Sequence, residues 1–121
     1  MKKSLKPQLN SGKYVFVQLK SISDIEKNEV VCFLKEAKGY SVILKEIYAK
    51  ENNFSYEHIT AWITLKLNSS LDSYGLTSVF SKALADSEIS CNVIAGYNHD
   101  HIFVNYEKKE LAVEILKRLK F

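Results

Sequence analysis

The chain has 121 residues, of which 46% are hydrophobic and 12% aromatic, with a single proline and four glycines. This composition excludes a disordered protein, and the length allows one domain or two small halves packed together. The net charge is +3, and many of the basic residues lie near the two ends of the sequence rather than in a stripe with interleaved aromatics. We therefore expect no nucleic acid as a partner.

The cysteines and the hydropathy indicate where the protein works. Cys32 and Cys91 lie in apolar, strand-like runs, which suit small buried thiols in a reducing compartment better than a disulfide framework. No apolar run approaches about 18 residues, and the lysine-rich start lacks the apolar segment of a signal peptide. We expect a cytoplasmic protein that neither enters a membrane nor is exported.

The first half of the chain, residues 1–58, carries a weaker pattern. Residues 1–13 hold the proline and an Asn-Ser-Gly cluster without periodicity, which predicts a mobile lead-in. A polar connection at 21–28 has room for one helical turn, with Ser23 or Asp24 as its cap. Apolar runs predict three strands, two of them in a hairpin closed by Gly39, followed by a short helix that ends at asparagine (14–19, 30–34, 40–44 and 45–52).

The second half, residues 59–121, has clear periodicity. Apolar and polar residues alternate from Ile59 to Leu67, which predicts a strand with one core face. An amphipathic helix follows at about 74–87, then a hairpin of strands at 90–97 and 102–106, and last a second amphipathic helix. This β-α-β-β-α order predicts an α+β, ferredoxin-like unit with an antiparallel sheet and both helices on one face. The N-terminal half would supply the missing fourth strand, as a donor or as a divergent copy of the unit.

The loop between the first strand and the first helix of this unit is the candidate binding site. Backbone N–H groups at a helix start can hold a carboxylate or a phosphate. Asp72 or Ser73 could instead cap the helix without any ligand. Gly75 lies in the first turn, where glycine costs about 0.5–1 kcal/mol unless its small size or its backbone freedom is needed.

A family resemblance rests on residues of this loop and the neighbouring strands. The segments Ile63-Thr64-Leu65, Ser69-Ser70-Leu71-Asp72 and Gly75-Leu76-Thr77, with 89–97 and 99–104, resemble ACT domains. The similarity is greatest to small stand-alone bacterial proteins with tandem ACT-like halves, related to the arginine-sensing CASTOR type. It implies an ACT domain at 59–121 and a divergent ACT-like half within 1–58.

The same resemblance implies a regulatory module that binds a small molecule, and an amino acid is the expected ligand. Its carboxylate would meet the N–H groups of the helix start, and its ammonium would meet Asp72 or the Asn92 amide oxygen. A second copy of the chain is left open as a partner. The implied ligand-binding residues are Asn68, Ser69, Ser70, Leu71, Asp72, Gly75, Leu76 and Asn92.

Other polar residues invite a catalytic or metal-binding interpretation. His99 and His101 flank Asp100 in the predicted hairpin, but two histidines do not complete a metal site, so we interpret them as hairpin polarity or a secondary ligand contact. The cysteines occupy no exposed basic loop, and neither a Gly-x-Ser-x-Gly elbow nor a glycine-rich phosphate loop is present. We expect no enzyme, no cofactor and no metal.

One alternative function remains open. Trp62 and Thr64 lie on the half-polar face of the strand that begins at Ile59, and an exposed tryptophan beside aliphatic residues is typical of an interface. The chain would then be a ligand-free structural or protein-interaction module that associates through the face around Trp62. Equally, the N-terminal half could cover this residue.

Overall fold

A computed structural model describes residues 3–67 and 75–120 and has an α+β, ferredoxin-like fold. The chain divides into two compact units. We call Met1–Ser11 with Ala61–Phe121 the major unit, and Gly12–Thr60 the minor unit. The elements are β1 (Pro7–Leu19), a 3-10 turn (Lys27–Glu29), β2 (Val30–Glu36), β3 (Gly39–Lys45), α1 (Glu46–Glu51), β4 (Thr60–Leu65), α2 (Leu76–Asp86), β5 (Cys91–Ala95), β6 (Asp100–Asn105), a 3-10 turn (Tyr106–Lys108) and α3 (Lys109–Arg118).

The minor unit contains the strand order β2-β3-β1, with antiparallel pairing throughout. The predicted hairpin is confirmed, with Glu36 opposite Gly39 at its closed end. Gly39 has φ +130°, and a Cβ built there would lie 2.6 Å from the Leu19 carbonyl oxygen, so both conformation and space require glycine. The buried core of the unit consists of Val15, Val17, Val42, Leu44 and Ala49.

In the minor unit, the end of the short helix was predicted correctly, but the cap of the polar connection was not. Helix α1 ends at Asn52, whose side-chain amide donates to the Tyr48 carbonyl, and Asn53 takes φ +57°. The expected asparagine terminator is therefore confirmed. In the connection, the helical turn begins after Glu26 and has no side-chain cap, so the expected cap at Ser23 or Asp24 is wrong. The hydroxyls of Ser21 and Ser23 bond each other instead.

The major unit has the strand order β1-β4-β6-β5 with helices α2 and α3. The predicted alternation along β4 is confirmed, because Ala61, Ile63 and Leu65 are buried in the core while Trp62 lies on the other face. Both helices contribute to the same core, so they pack on one face of the sheet. This core consists of Leu5, Ala61, Ile63, Leu65, Phe80, Leu84, Ile89, Ile102, Val104, Ala112 and Leu116.

The predicted lead-in is wrong, because β1 begins at Pro7 and Leu5 is completely buried. The amides of Lys66 and Leu67 donate to the carbonyls of Lys6 and Leu5, both at 3.1 Å. The first part of β1 thus lies beside β4 and supplies the strand missing from the β-α-β-β-α pattern. The hydropathy pattern did not reveal this part of β1, because its residues are polar. Asn10, for example, bonds the neighbouring strand β4 through its side chain.

Two apolar positions depart from the predicted helix stripes. Leu111 is 49% exposed and Val79 is 43% exposed, although each falls at the helical spacing of buried neighbours. The apolar stripes of α2 and α3 are therefore narrower than the sequence predicts. Within residues 3–67 and 75–120, no helix is long and apolar enough to cross a membrane.

Candidate functional site

The start of α2 is built around Gly75, the N-cap residue, which has φ +75° and ψ 0°. Among the residues that the structure describes, a Cβ built there would meet the Ser78 hydroxyl, at 3.8 Å, and the left-handed backbone conformation by itself favours glycine. The Gly75 carbonyl accepts from the Ser78 hydroxyl at 2.9 Å and from the Val79 amide at 3.0 Å. The first-turn amides have no acceptor within an α-helix, so they point away from α2 at its positive end.

The predicted ligand-binding residues are only partly described. Asn68, Ser69, Ser70, Leu71 and Asp72 lie outside the described residues, as does the alternative cap Ser73. Leu76 is half-buried and packs against the major core. Asn92 is exposed on β5 opposite Phe103. Because its neighbour Cys91 packs against the helix-side core, Asn92 points to the sheet face that carries no helix.

On that face the structure brings together a polar cluster formed by Asn10, Trp62, Thr64 and His101, which we call the imidazole cluster. The Trp62 indole nitrogen lies 3.0 Å from His101 Nδ1, and the Thr64 hydroxyl lies 3.1 Å from the same atom. The Asn10 side-chain amide donates to the Thr64 hydroxyl at 2.9 Å and to the Trp62 carbonyl at 3.2 Å. The cluster ties β1, β4 and β6 together.

The cluster determines the protonation state of His101. An indole N–H can only donate, so Nδ1 must accept and the imidazole is neutral, with its proton on Nε2. The pKa of His101 is lowered, first because burial disfavours the charged ring and then because His99 and Lys66 repel it, while Asp100 acts in the opposite direction. His101 is therefore a hydrogen-bond acceptor within the sheet.

The turn between β5 and β6 lies against the Nε2 edge of the His101 imidazole. A Cβ built at Gly96 would lie 3.3 Å from His101 Nε2 and 2.8 Å from the His99 carbonyl oxygen. The Gly96 amide donates to that same carbonyl at 3.0 Å, which closes the turn. The glycine thus allows the turn to approach the imidazole. His99 and His101 therefore differ in role, because His99 belongs to the turn and His101 to the imidazole cluster.

The contribution of Asn10 to the imidazole cluster could not be found from sequence. Asn10 lies in the stretch that the pattern assigned to a lead-in, and a single asparagine there gives no signal of a strand. Trp62, by contrast, was singled out as an exposed residue. It is half-buried, and its ring stacks on Phe103 with centroids 6.1 Å apart and an interplanar angle of 18°.

Metal-binding and nucleophilic groups are sparse in this structure. Across residues 3–67 and 75–120, no group of three or more His, Cys, Asp or Glu side chains could hold a metal ion. Burial raises the pKa of the thiols of Cys32 and Cys91, which disfavours the reactive thiolate.

Comparison with protein families assigns the chain to a class. Residues 57–118 match an ACT domain model, and residues 1–61 match a second ACT domain model. The chain therefore belongs to the ACT domain family and carries two ACT domains in tandem. ACT domains are commonly regulatory modules that bind small ligands, and they are not catalytic.

Solved structures place this chain beside several ACT-fold proteins. A Vibrio cholerae protein of unknown function, described as a possible transport protein, shares 38% identity over 95% of this chain and 88% of its own, with a TM-score of 0.88. An Agrobacterium tumefaciens protein shares 14% identity over 91% of this chain and 84% of its own, with a TM-score of 0.74. The aspartate kinase of Clostridium acetobutylicum, described as an allosteric enzyme, shares 14% identity over 91% of this chain and 33% of its own, with a TM-score of 0.64. The comparison with curated proteins gives no match.

Proposed function

We propose that this protein is a regulatory module without catalytic activity that binds a free amino acid at the start of α2. The observation that carries the proposal is the left-handed Gly75 at the N-terminus of that helix, where the nearest described atom to a built Cβ is the Ser78 hydroxyl at 3.8 Å. A ligand carboxylate can approach the first-turn amides at such a position, and the helix dipole favours its negative charge. The tandem ACT domains make a regulatory role the most economical one.

The ligand contacts in this proposal follow the family resemblance. The carboxylate binds the amides that follow Gly75, and the ammonium is bound by Asp72 or, from a second copy of the chain, by Asn92, whose side chain points to the sheet face without helices. The segment Asn68–Leu71 and Leu76 contribute the remaining wall. In this proposal the protein works in the cytoplasm, and a second copy of the chain completes the site.

A thermal-melting screen of the twenty amino acids tests the proposal. The correct ligand at a hundredfold excess over its Kd stabilises the folded state by about 2.7 kcal/mol, which raises Tm by roughly 10 °C for a chain of this size. Gly75→Asn should abolish the shift, because asparagine tolerates the left-handed conformation but places a side chain at the helix start, where the ligand carboxylate would bind. Gly12→Asn is the matched control, since Gly12 also has a positive φ, of +101°, but lies in β1.

Two results would contradict the proposal. One is a screen in which no amino acid raises Tm. The other is an amino acid that stabilises wild type and Gly75→Asn equally, because binding would then take place away from the start of α2. A loss of response in Gly12→Asn as well would indicate a general loss of stability instead.

Association through the face around Trp62 has less support as a function. The indole N–H is engaged by His101 and the ring stacks on Phe103, so much of this side chain serves the fold. Trp62→Phe should weaken the fold without changing the oligomeric state in size-exclusion chromatography. A change of oligomeric state in a folded variant would favour the interaction module.

A further inference from the structure

The minor unit contains a cavity of about 550 Å³ that the proposed function does not use. It lies between the connection that follows β1 and the strands β2 and β3, and residues from both sides line it. Ligand pockets in proteins commonly measure about 300–1,000 Å³, so the cavity is large enough for a small molecule. The lining residues that matter for its chemistry are Ile22, Ile25, Lys27, Cys32, Phe33 and Val42.

The cavity has a clear origin in the sequence. In the major unit, the strand β4 is followed by α2, an 11-residue helix that buries Phe80 and Leu84 against the sheet. In the minor unit, the segment after β1 forms only a three-residue 3-10 turn, and Ile22 and Ile25 are only partly buried against the core. The polar connection has too few apolar residues to fill the volume that a helix would occupy.

An irregularity of β2 also shapes this cavity. Val30 pairs with Leu44 and Cys32 pairs with Ile43, so Val31 is an extra residue in the strand. A β-bulge of this kind changes the direction of the side chains around it. Both Val31 and Cys32 consequently line the cavity, together with the buried Val42 of β3. The walls are mostly aliphatic.

One residue that lines the cavity is charged. Among the described residues that line it, Lys27 is the one that carries a charge, and no carboxylate of the described chain forms an ion pair with it. Phe33 lies beside the cavity with 54% of its surface exposed. An occupant with an apolar body and an anionic end matches both features, because the apolar walls favour the first and the ammonium favours the second.

We propose that the minor unit binds a small apolar carboxylic acid, such as a medium-chain fatty acid, in this cavity. The hydrocarbon chain lies among Ile22, Ile25 and Val42, and the carboxylate lies at Lys27. This site is separate from the start of α2 and takes a different class of ligand. Its occupancy would stabilise the minor unit by filling the space between the connection and the sheet.

The two free cysteines provide a test with an internal control. Cys32 lines the cavity and Cys91 lies in β5 of the major unit, and both thiols are half-buried. Purified protein is alkylated with iodoacetamide at increasing octanoate, and each cysteine is followed by peptide mass spectrometry. At an octanoate concentration of four times Kd, we expect the modification of Cys32 to slow by about fivefold, because the fraction of protein left unbound is 1/(1 + [L]/Kd), and that of Cys91 to stay unchanged.

Head-group and lysine variants identify the anionic end. 1-Octanol and octylammonium should protect Cys32 less well than octanoate at equal concentration. Lys27→Ala should weaken the binding of octanoate about two- to fivefold, which is the range for an exposed ion pair, without changing the protection of Cys32 by 1-octanol. Lys27→Glu should reverse the preference between octanoate and octylammonium. Lys35→Ala is the matched control, because Lys35 is exposed on β2, the strand that carries Cys32.

Several outcomes would overturn the proposal. Equal protection of Cys32 and Cys91 would show a general effect of the amphiphile, and no protection of Cys32 would show an empty cavity. Protection by 1-octanol equal to that by octanoate, or an unchanged response in Lys27→Ala, would remove the carboxylate from the proposal. If Cys32 became protected on raising the protein concentration alone, a second copy of the chain would be the occupant. None of these results bears on the amino-acid screen at α2.

Discussion

The imidazole cluster allows a sharp prediction about stability. In His101→Phe, the Trp62 indole N–H and the Thr64 hydroxyl lose the Nδ1 atom that lies 3.0 and 3.1 Å from them. Removing the acceptor of a buried donor costs about 1–3 kcal/mol, and the lower part of this range applies here because both hydrogen bonds are only partly buried. With a urea dependence of about 1–3 kcal/mol per molar, the unfolding midpoint should fall by roughly 1 M at pH 7.5.

The pH dependence identifies the cause of this loss. The pKa of folded His101 lies below its ordinary value because burial disfavours the charged ring, so the unfolded chain takes up the proton first. The stability that neutral His101 provides is complete above about pH 6.5 and is lost as the pH falls through the folded pKa. The difference in the free energy of unfolding between wild type and His101→Phe should therefore shrink as the pH falls from 6.5 to 5, by at most about 1.4 kcal/mol per pH unit.

The assay is equilibrium urea unfolding at several pH values, read from the fluorescence of Trp62, the single tryptophan of the chain. His58→Phe is the control, because the His58 side chain is 86% exposed and its removal should leave both the midpoint and its pH dependence unchanged. Parallel curves for wild type and His101→Phe from pH 7.5 to 5 would refute the reasoning. In that case His101 would not be held in its neutral form by the cluster.

Core and turn residues give three further predictions, each read from urea unfolding. Phe80→Ala should cost about 3–5 kcal/mol because the ring is completely buried in the major core, and a smaller loss would mean that the core collapses around the cavity. Leu116→Ala should cost about 2–5 kcal/mol and Leu111→Ala under about 1 kcal/mol, since the first is completely buried and the second is 49% exposed. Gly39→Ala should cost at least about 1–2 kcal/mol, because it combines a positive φ with a Cβ 2.6 Å from the Leu19 carbonyl oxygen, and a neutral effect would contradict this geometry.

The fold was predictable where periodicity is long. The alternation around Ile63 and the helical spacing of Phe80 and Leu84 each repeat several times, so tertiary contacts only confirm them. The part of β1 before Tyr14 was not predictable, because its side chains make polar contacts such as those of Asn10, and because its pairing with β4 joins residues far apart in sequence. Long-range pairing leaves no local pattern.

The candidate sites were predictable to different degrees. A glycine at the start of α2 points to a left-handed residue, and Gly75 has that conformation. The imidazole cluster depends on strand neighbours that only the folded sheet brings together, although His101 and Trp62 were each singled out. The cavity of the minor unit lies where the major unit has a helix, and the absence of a helix leaves no motif in the sequence from which a cavity could be predicted.

The outer strand of the major unit, the first part of β1, comes from the start of the chain, so a fragment of the second half alone lacks it. A fragment that begins at residue 59 follows the boundary expected from the sequence but lacks Leu5 and the first residues of β1, so β4 would have an unpaired edge that could pair with other chains. Ser4 forms an antiparallel bridge with Lys120, which is the arrangement of two residues across a hairpin. Grafting residues 1–11 behind residue 121 through a short turn would therefore rebuild a contiguous ACT domain from a rearranged gene.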